Sequence, residues 1–265
     1  LYPQAEVLQA NLDNQADCTK ILDGATAIYY VGPTFQPREV YYAINVIDAA
    51  VAEAARPKSN FVHFILSSVL HPEVSKLLNH DRKRIIEEYL LESTLPFTIL
   101  QPSHFVDNTL GRLLDLKDSP NPKFKASHDP NVAFSFSCLK DHAEVSMKIL
   151  QERSKHYYAT YQLVSTLPIK YTDYIRSVGD EMGKSIQIET MPFEQVVQLY
   201  CNMLFGPDGA KDQNFRDGPE RLLLYYNVRG LSGNPAVLEW LLGRPATTPA
   251  QLARQMLNAS CQNGE

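Results

Sequence analysis

Cysteine is scarce in this 265-residue chain. Cys18, Cys138, Cys201 and Cys261 are scattered, with no CxxC pair and no Cys/His group at metal-ligand spacing. That pattern excludes a disulfide framework and a structural zinc site, so no metal is expected and the thiols read as reduced, packed residues of a cytosolic protein. Long apolar runs are also missing: nothing approaches the roughly 18–20 residues needed to cross a bilayer, and no secretory signal opens the chain. Positive charge is in the minority, with 25 Lys and Arg against 30 Asp and Glu, a net charge of −5. Direct nucleic-acid binding through overall charge is therefore not expected, although a local basic patch stays open. There are only 12 glycines, and none forms a GxxGxxG turn after a strand. GxSxG, HExxH and Walker motifs are absent as well. The chain opens on Leu1-Tyr2-Pro3-Gln4 without an initiator methionine, so Leu1 reads as the interior of something longer.

What is present is ordinary globular material, 44% apolar and 21% charged. Glu6–Ala10 reads as a short strand, followed by a helix from Ala16 to Leu22 that ends at Asp23-Gly24. Ala27–Val31 and Phe61–Leu66 are continuous apolar runs, the pattern of parallel strands buried on both faces. A helix over 38–56 lies between them. Another, over 79–93, leads to a strand at Phe97–Leu100 closed by Gln101-Pro102. This alternation with short links predicts βαβ crossovers and a parallel sheet with helices on both faces. Further on, Lys117–Pro130 reads as a loop, 133–137 as a strand, 141–153 as a helix and 161–164 as a late strand. A helix at 171–183 and a strand at 185–189 follow, then mostly helix from Phe193, with a mobile loop at Gly206–Gly218. A working boundary near Leu167 divides a nucleotide-binding domain (1–166) from a smaller, mostly helical substrate or cap region (167–265), some of which is expected to rejoin the sheet.

Short segments in a fixed order carry a resemblance. They are Ala5-Glu6-Val7 through Asn11-Leu12-Asp13, Asp23-Gly24-Ala25, Phe61-Val62-His63-Phe64 with Ser67-Ser68-Val69, and the stretch His80–Leu90. Pro96–Pro102 with Phe105–Asn108, then Asn234-Pro235 and Leu242-Gly243-Arg244, complete the set. On these the chain resembles the NmrA-like group of atypical short-chain dehydrogenase/reductase proteins. The resemblance implies a Rossmann-type α/β fold, N-terminally truncated, in which Glu6–Ala10 is the third strand of the usual sheet and the glycine-rich phosphate turn is missing. The edge of the strand at 27–31 would then lack its neighbour. It also implies NADP or NAD as the cofactor of the complete protein, with weak or absent dinucleotide affinity in the chain as given.

Candidate residues follow from the same likeness. Asn11, Leu12 and Asp13 would lie near the adenine, though Asn and Asp here also suit a helix N-cap. Gly32, Pro33 and Thr34 would pass the ribose, or form a plain turn. Ser67 and Ser68 at a strand end would face the nicotinamide, and Pro102, Phe105 and Asn108 would line the same cleft. Lys83 is the most pointed candidate: standard relatives place a Tyr four residues earlier, but Asn79 stands there, and an amide is no general acid at neutral pH. Lys83, with His80 one turn earlier on the same face, is the candidate catalytic pair, set against a solvated helix charge and an ordinary histidine. Glu87-Glu88 reads as a solvated face, and Tyr157, Tyr158 and Tyr161 as packing.

Three functions stay open: an NAD(P)H-dependent reductase of a small carbonyl, enone or quinone-like compound; a non-catalytic NAD(P)-sensing regulator with a protein partner; and a truncated or recruited non-redox protein that binds no dinucleotide. A cytoplasmic monomer or homodimer without membrane contact is expected, also nuclear if it is a regulator.

Overall fold

The computed structural model describes residues 4–262, with side chains to residue 259; Leu1, Tyr2, Pro3 and the Cys261 side chain lie outside the described residues. Strands β1 (Ala27–Val31), β2 (His63–Ser67), β3 (Phe97–Pro102) and β4 (Ala159–Leu163) form one sheet in that order, every pairing parallel. The helices are α1 (Gln15–Leu22), α2 (Glu39–Ala54), α3 (Leu78–Glu92), α4 (Asp107–Leu114), α5 (Leu139–Glu152), α6 (Tyr171–Glu181), α7 (Phe193–Phe205), α8 (Gln213–Arg229), α9 (Ala236–Leu242) and α10 (Pro249–Gln262).

Strand alternation explains the layers. Tyr30, Phe64, Leu66 and Ile99 point to one face and pack with α1, α2 and α3 through Cys18, Ile47, Ile86 and Leu90. Tyr29, Ile65, Leu100 and Leu163 point to the other and meet Val145 and Ile149 of α5 and Leu238 and Leu241 of α9. The central strands β2 and β3 are covered on both faces, which is why they read as unbroken apolar runs. Each fully buried side chain of this kind contributes roughly 1.5–3 kcal/mol. The remaining core lies between α4, α6, α7 and α8, around Tyr171, Tyr174, Phe134 and Phe136. Cys18, Cys138 and Cys201 are buried free thiols. No helix among the described residues is long and apolar enough to cross a membrane.

Helix α1 starts where Asn14 caps it, its Oδ1 accepting from the Ala16 amide at 2.9 Å. Replacing Asn14 with Ala should lower the unfolding free energy by about 1 kcal/mol, measured by urea titration, because the amide loses its partner.

Several expectations need correction. Glu6–Ala10 is not a strand: it is unpaired and mostly exposed, Val7 by 86%. A strand exists only beside a hydrogen-bonding neighbour, and among the described residues none lies next to this segment. For the same reason β1 pairs on one side only, with β2. The 133–137 run splits in two. Ala133–Phe134 pairs antiparallel with Ile169–Lys170, and Phe136–Ser137 pairs parallel with His104–Phe105. Ser135 between them turns its amide to the Leu231 carbonyl. The 117–130 loop contains a strand, Lys123–Ala126, which pairs with Gln187–Thr190. The expected mobile loop at 206–218 is largely helical, since Asp212 caps α8 through the Asn214 amide at 2.9 Å. Glu87 is not solvated. It is buried on α3, and the Gln101 amide donates to both carboxylate oxygens, at 3.0 and 3.1 Å.

Candidate functional site

The parallel register brings the carboxyl ends of β1, β2 and β3 together, with Val31 beside Ser67 and Ser67 beside Leu100. Between the loops leaving those ends and α8 lies a cleft of about 240 Å³. Open α/β sheets bind ligands at this edge. Thr34 and Phe35 follow β1, Ser68 and Val69 follow β2, and Pro102 to Phe105 close β3. Asn79 and Lys83 come from α3, Asn108 from α4, Tyr200 from α7, and Leu222 and Tyr226 from α8.

Helix α3 explains the polar side of the cleft. Its buried stripe runs Asn79, His80, Lys83, Ile86, Glu87, Leu90, a helical period whose first two turns are polar and whose last is apolar. The polar end faces the cleft and the apolar end packs on the sheet. Lys83 is therefore no solvated charge. Its ammonium, 6% exposed, meets Oε1 of the fully buried Glu39 at 2.8 Å. Glu39 opens α2, where a helix N-terminus favours a carboxylate. Burial raises the Glu39 carboxyl above its ordinary value, and Lys83, Arg82 and the Phe35 amide pull it back. Phe35 sits in the left-handed region at φ 68° with its ring against Gly218 of α8, so the loop after β1 is held in an unusual conformation at the cleft wall.

Asn79 Oδ1 and His104 Nε2 are buried without a hydrogen-bond partner. Burial holds His104 neutral, its pKa lowered to about 4. The Ser68 hydroxyl closes no well-formed hydrogen bond, although it lies near enough to Glu87 to favour the ionised carboxylate there. Burial is the larger influence and raises Glu87.

His80 stands behind the cleft and does not line it. Its Nδ1 lies 3.0 Å from the His71 carbonyl and its Nε2 3.3 Å from the Tyr226 hydroxyl. A carbonyl only accepts, so Nδ1 carries the proton and Nε2 accepts from Tyr226. Burial lowers the His80 pKa, which keeps this neutral form. His80 thus fixes the orientation of Tyr226, whose oxygen lone pairs remain for the cleft.

Of the residues singled out in the sequence, Thr34, Ser68, Lys83, Pro102, Phe105 and Asn108 line one cavity. Gly32, Pro33 and Ser67 flank it. Asn11, Leu12 and Asp13 lie in the turn before α1, away from the cavity lining. There Asp13 pairs with Arg38 and the Leu12 carbonyl accepts from Asn45 at 2.8 Å. The N-cap itself is Asn14. Sequence reading missed Glu39, Ser103, His104, Tyr200, Leu222 and Tyr226 as site residues. Only Glu39 left a signal, an acidic residue in the first turn of the helix after β1. The rest come from distant elements, and nothing local marks them.

The cleft's position and composition can be set beside known proteins. The chain is similar to the NADPH-dependent quinone oxidoreductase of Escherichia coli, solved with NADPH: 20% identity, TM-score 0.72, covering 94% of this chain and 82% of that one. It is similar to the triphenylmethane reductase of Citrobacter sp., solved with NADP(H): 15% identity, TM-score 0.73, 95% and 83% covered. It is also similar to Nmra, a negative transcriptional regulator solved with NAD: 14% identity, TM-score 0.69, 99% and 84% covered. At such identities the likeness establishes the Rossmann-type fold. No curated protein sequence matches significantly. The profile of the NmrA-like family matches residues 2–211, most of the chain, and with the parallel sheet and its carboxyl-edge cleft it leads to one conclusion: this chain belongs to the NmrA-like family.

Proposed function

We propose that the cleft receives the nicotinamide–ribose end of NADP or NAD beside a small, flat, quinone- or enone-like compound, and that the protein is a dinucleotide-dependent reductase. One observation carries this reading. A cavity at the carboxyl edge of the sheet joins ring-sized apolar walls (Phe35, Phe105, Tyr200, Leu222, Tyr226) to a few polar groups, among them Lys83 and an unpartnered Asn79 oxygen. The NADPH and NADP(H) complexes of the similar reductases lend it support.

The fit of the residues to the cofactor is to its ring and ribose end. Asn79 Oδ1 accepts from an amide or hydroxyl, Lys83 donates to ribose hydroxyls, and the aromatic walls exclude water. Among the described residues no glycine-rich turn leads from a strand into a helix, so a diphosphate cradle is not part of this fit. When bound, a reduced nicotinamide supplies a hydride.

The protein's own contribution then decides the substrate class. Asn79 replaces the customary phenol, burial raises Tyr200 and Tyr226, and His104 is neutral with its pKa near 4. No lining group is a strong acid at neutral pH. A simple ketone would leave a basic alkoxide that needs such an acid. A quinone or enone leaves a delocalised, weakly basic anion that takes its proton from bulk water once released, and it suits this cleft better.

The same lack of an acid favours a second reading, a dinucleotide-sensing regulator that binds without turnover. Calorimetry with NADPH and NADH, followed by turnover of a quinone and enone panel, separates the two. Expected are weak binding of a dinucleotide, held by its ring and ribose end without a diphosphate cradle, and its consumption with quinone when it is supplied in excess. Lys83→Ala should cut turnover by about tenfold to a thousandfold, the range of a removed site contact, and weaken dinucleotide binding less than turnover. Binding without consumption across the panel would select the regulator. Absence of binding would leave a protein that uses no dinucleotide.

A further inference from the structure

We infer that Glu39 sets the charge preference of the cleft, making it a receptor for uncharged rings and closing it to carboxylates and phosphates. The inference deepens the ring-pocket reading above and rests on it. Among the described residues Lys83 is the one permanently charged side chain in the cleft lining, and by itself it would draw anions. Glu39 cancels it at 2.8 Å, and neither side chain is more than 6% exposed. An ion pair this close presents a ligand with a dipole and no net charge, and its pull on an anion falls off faster than that of a lone ammonium. The other charges around it change little. Arg82 adds positive field at Glu39, Glu87 stands behind Ser68 with its carboxyl raised by burial, and His104 is uncharged. An anionic ligand would have to shed its hydration without gaining a counter-charge, and a neutral ring pays no such penalty.

Glu39 touches neither reacting atom, so it is a positioning residue acting through Lys83. Its removal predicts a change of ligand class and not merely a loss. In Glu39→Gln the buried ammonium has no counter-charge, and an anion in the cleft becomes the group that supplies it.

The test compares benzamide with benzoate, rings of one shape that differ in charge, by calorimetric titration and thermal melting. Wild type should bind benzamide at least about tenfold more tightly than benzoate, and benzoate binding should be insensitive to added chloride. Glu39→Gln should bind benzoate at least about tenfold more tightly than wild type does, melt higher in its presence, and lose both effects in Glu39→Gln/Lys83→Met. Wild type that takes benzoate as well as benzamide, or neither ring, overturns the inference. So does a folded Glu39→Gln without gain for benzoate. Should that variant fail to fold, the wild-type preference decides alone. Failure of the underlying reductase reading shows differently: no dinucleotide is bound and no quinone is turned over, with the benzamide preference intact.

Discussion

The unfolding free energy should fall steeply as the pH drops from about 6.5 to about 5, before most carboxylates titrate. Four histidines shielded from water are responsible, the cleft's His104 with its pKa lowered to about 4 among them. His63 and His142 have their pKa lowered to about 4, and His128 to about 3, against an ordinary 6.5. Burial is the leading cause at each; His156 and Arg153 add to it at His63, and His104 at His128. The sign follows from proton counting. Above 6.5 both folded and unfolded chains hold these rings neutral, so their contribution to stability is fully present. Between 6.5 and the folded values only the unfolded chain takes up protons, and stability is lost as the pH falls. Each ring costs up to about 1.4 kcal/mol per pH unit in that window, which by about pH 5 is roughly 2 kcal/mol apiece and roughly 8 kcal/mol for the four together. A domain's whole stability is about 5–15 kcal/mol.

The geometry of these sites explains why they refuse the proton. His63 Nε2 donates to Thr98 Oγ1 at 2.8 Å, because that hydroxyl already donates to the His156 carbonyl, and Nδ1 has no partner. His128 lies among His104, Phe134, Tyr171 and Tyr226 with neither nitrogen hydrogen-bonded. Urea titrations across this range test the prediction, and His128→Phe should remove about a quarter of the slope. A stability that stays flat from about pH 7 to about pH 5 would sink it.

Gly230→Ala should cost about 4 kcal/mol or more, the largest single-residue effect we expect outside the ion pair. Gly230 ends α8 at φ 63°, its amide bonded to the Tyr226 carbonyl at 3.0 Å. A Cβ there would stand 1.9 Å from the Ala133 carbonyl oxygen and 2.9 Å from Val132 Cγ1. The obstacle is backbone that cannot yield, because Ala133 pairs with Lys170 and Phe134 bridges Leu231. Relief would have to come from α8, which carries Leu222 and Tyr226 into the cleft, so ligand binding should weaken along with stability. Gly243→Ala provides the control. It shares the left-handed backbone, at φ 69°, but nothing lies within 4 Å of its added Cβ, and it should cost only about 1 kcal/mol. Chemical denaturation of the two variants settles the comparison, and equal losses would refute the steric account.

The strands at 27–31 and 97–102 and the helix at 78–92 were legible because each writes its burial into its own residues. Both-face burial gives an unbroken apolar run, and one-face burial gives a helical stripe. The polar stripe on α3 was misread for the same reason. Ile85, Ile86, Tyr89 and Leu90 look like the buried face; Ile86 and Leu90 are buried, and only the packing shows that Asn79, Lys83 and Glu87 turn inward with them. Glu6–Ala10 has the composition of a strand, but a strand is a relation between two segments, and composition cannot supply the second.

By itself, then, the sequence determined the layered parallel sheet, the place of its carboxyl edge, and the replacement of the expected tyrosine by Asn79, since these depend on residue type and spacing. The tertiary structure alone decided that Lys83 is bound to Glu39, that His80 acts behind Tyr226, and that α7 and α8 wall the cleft. Those contacts join residues about 40 to 190 positions apart. Their energy depends on distance and on exclusion from water, and neither is written in the order of residues along the chain.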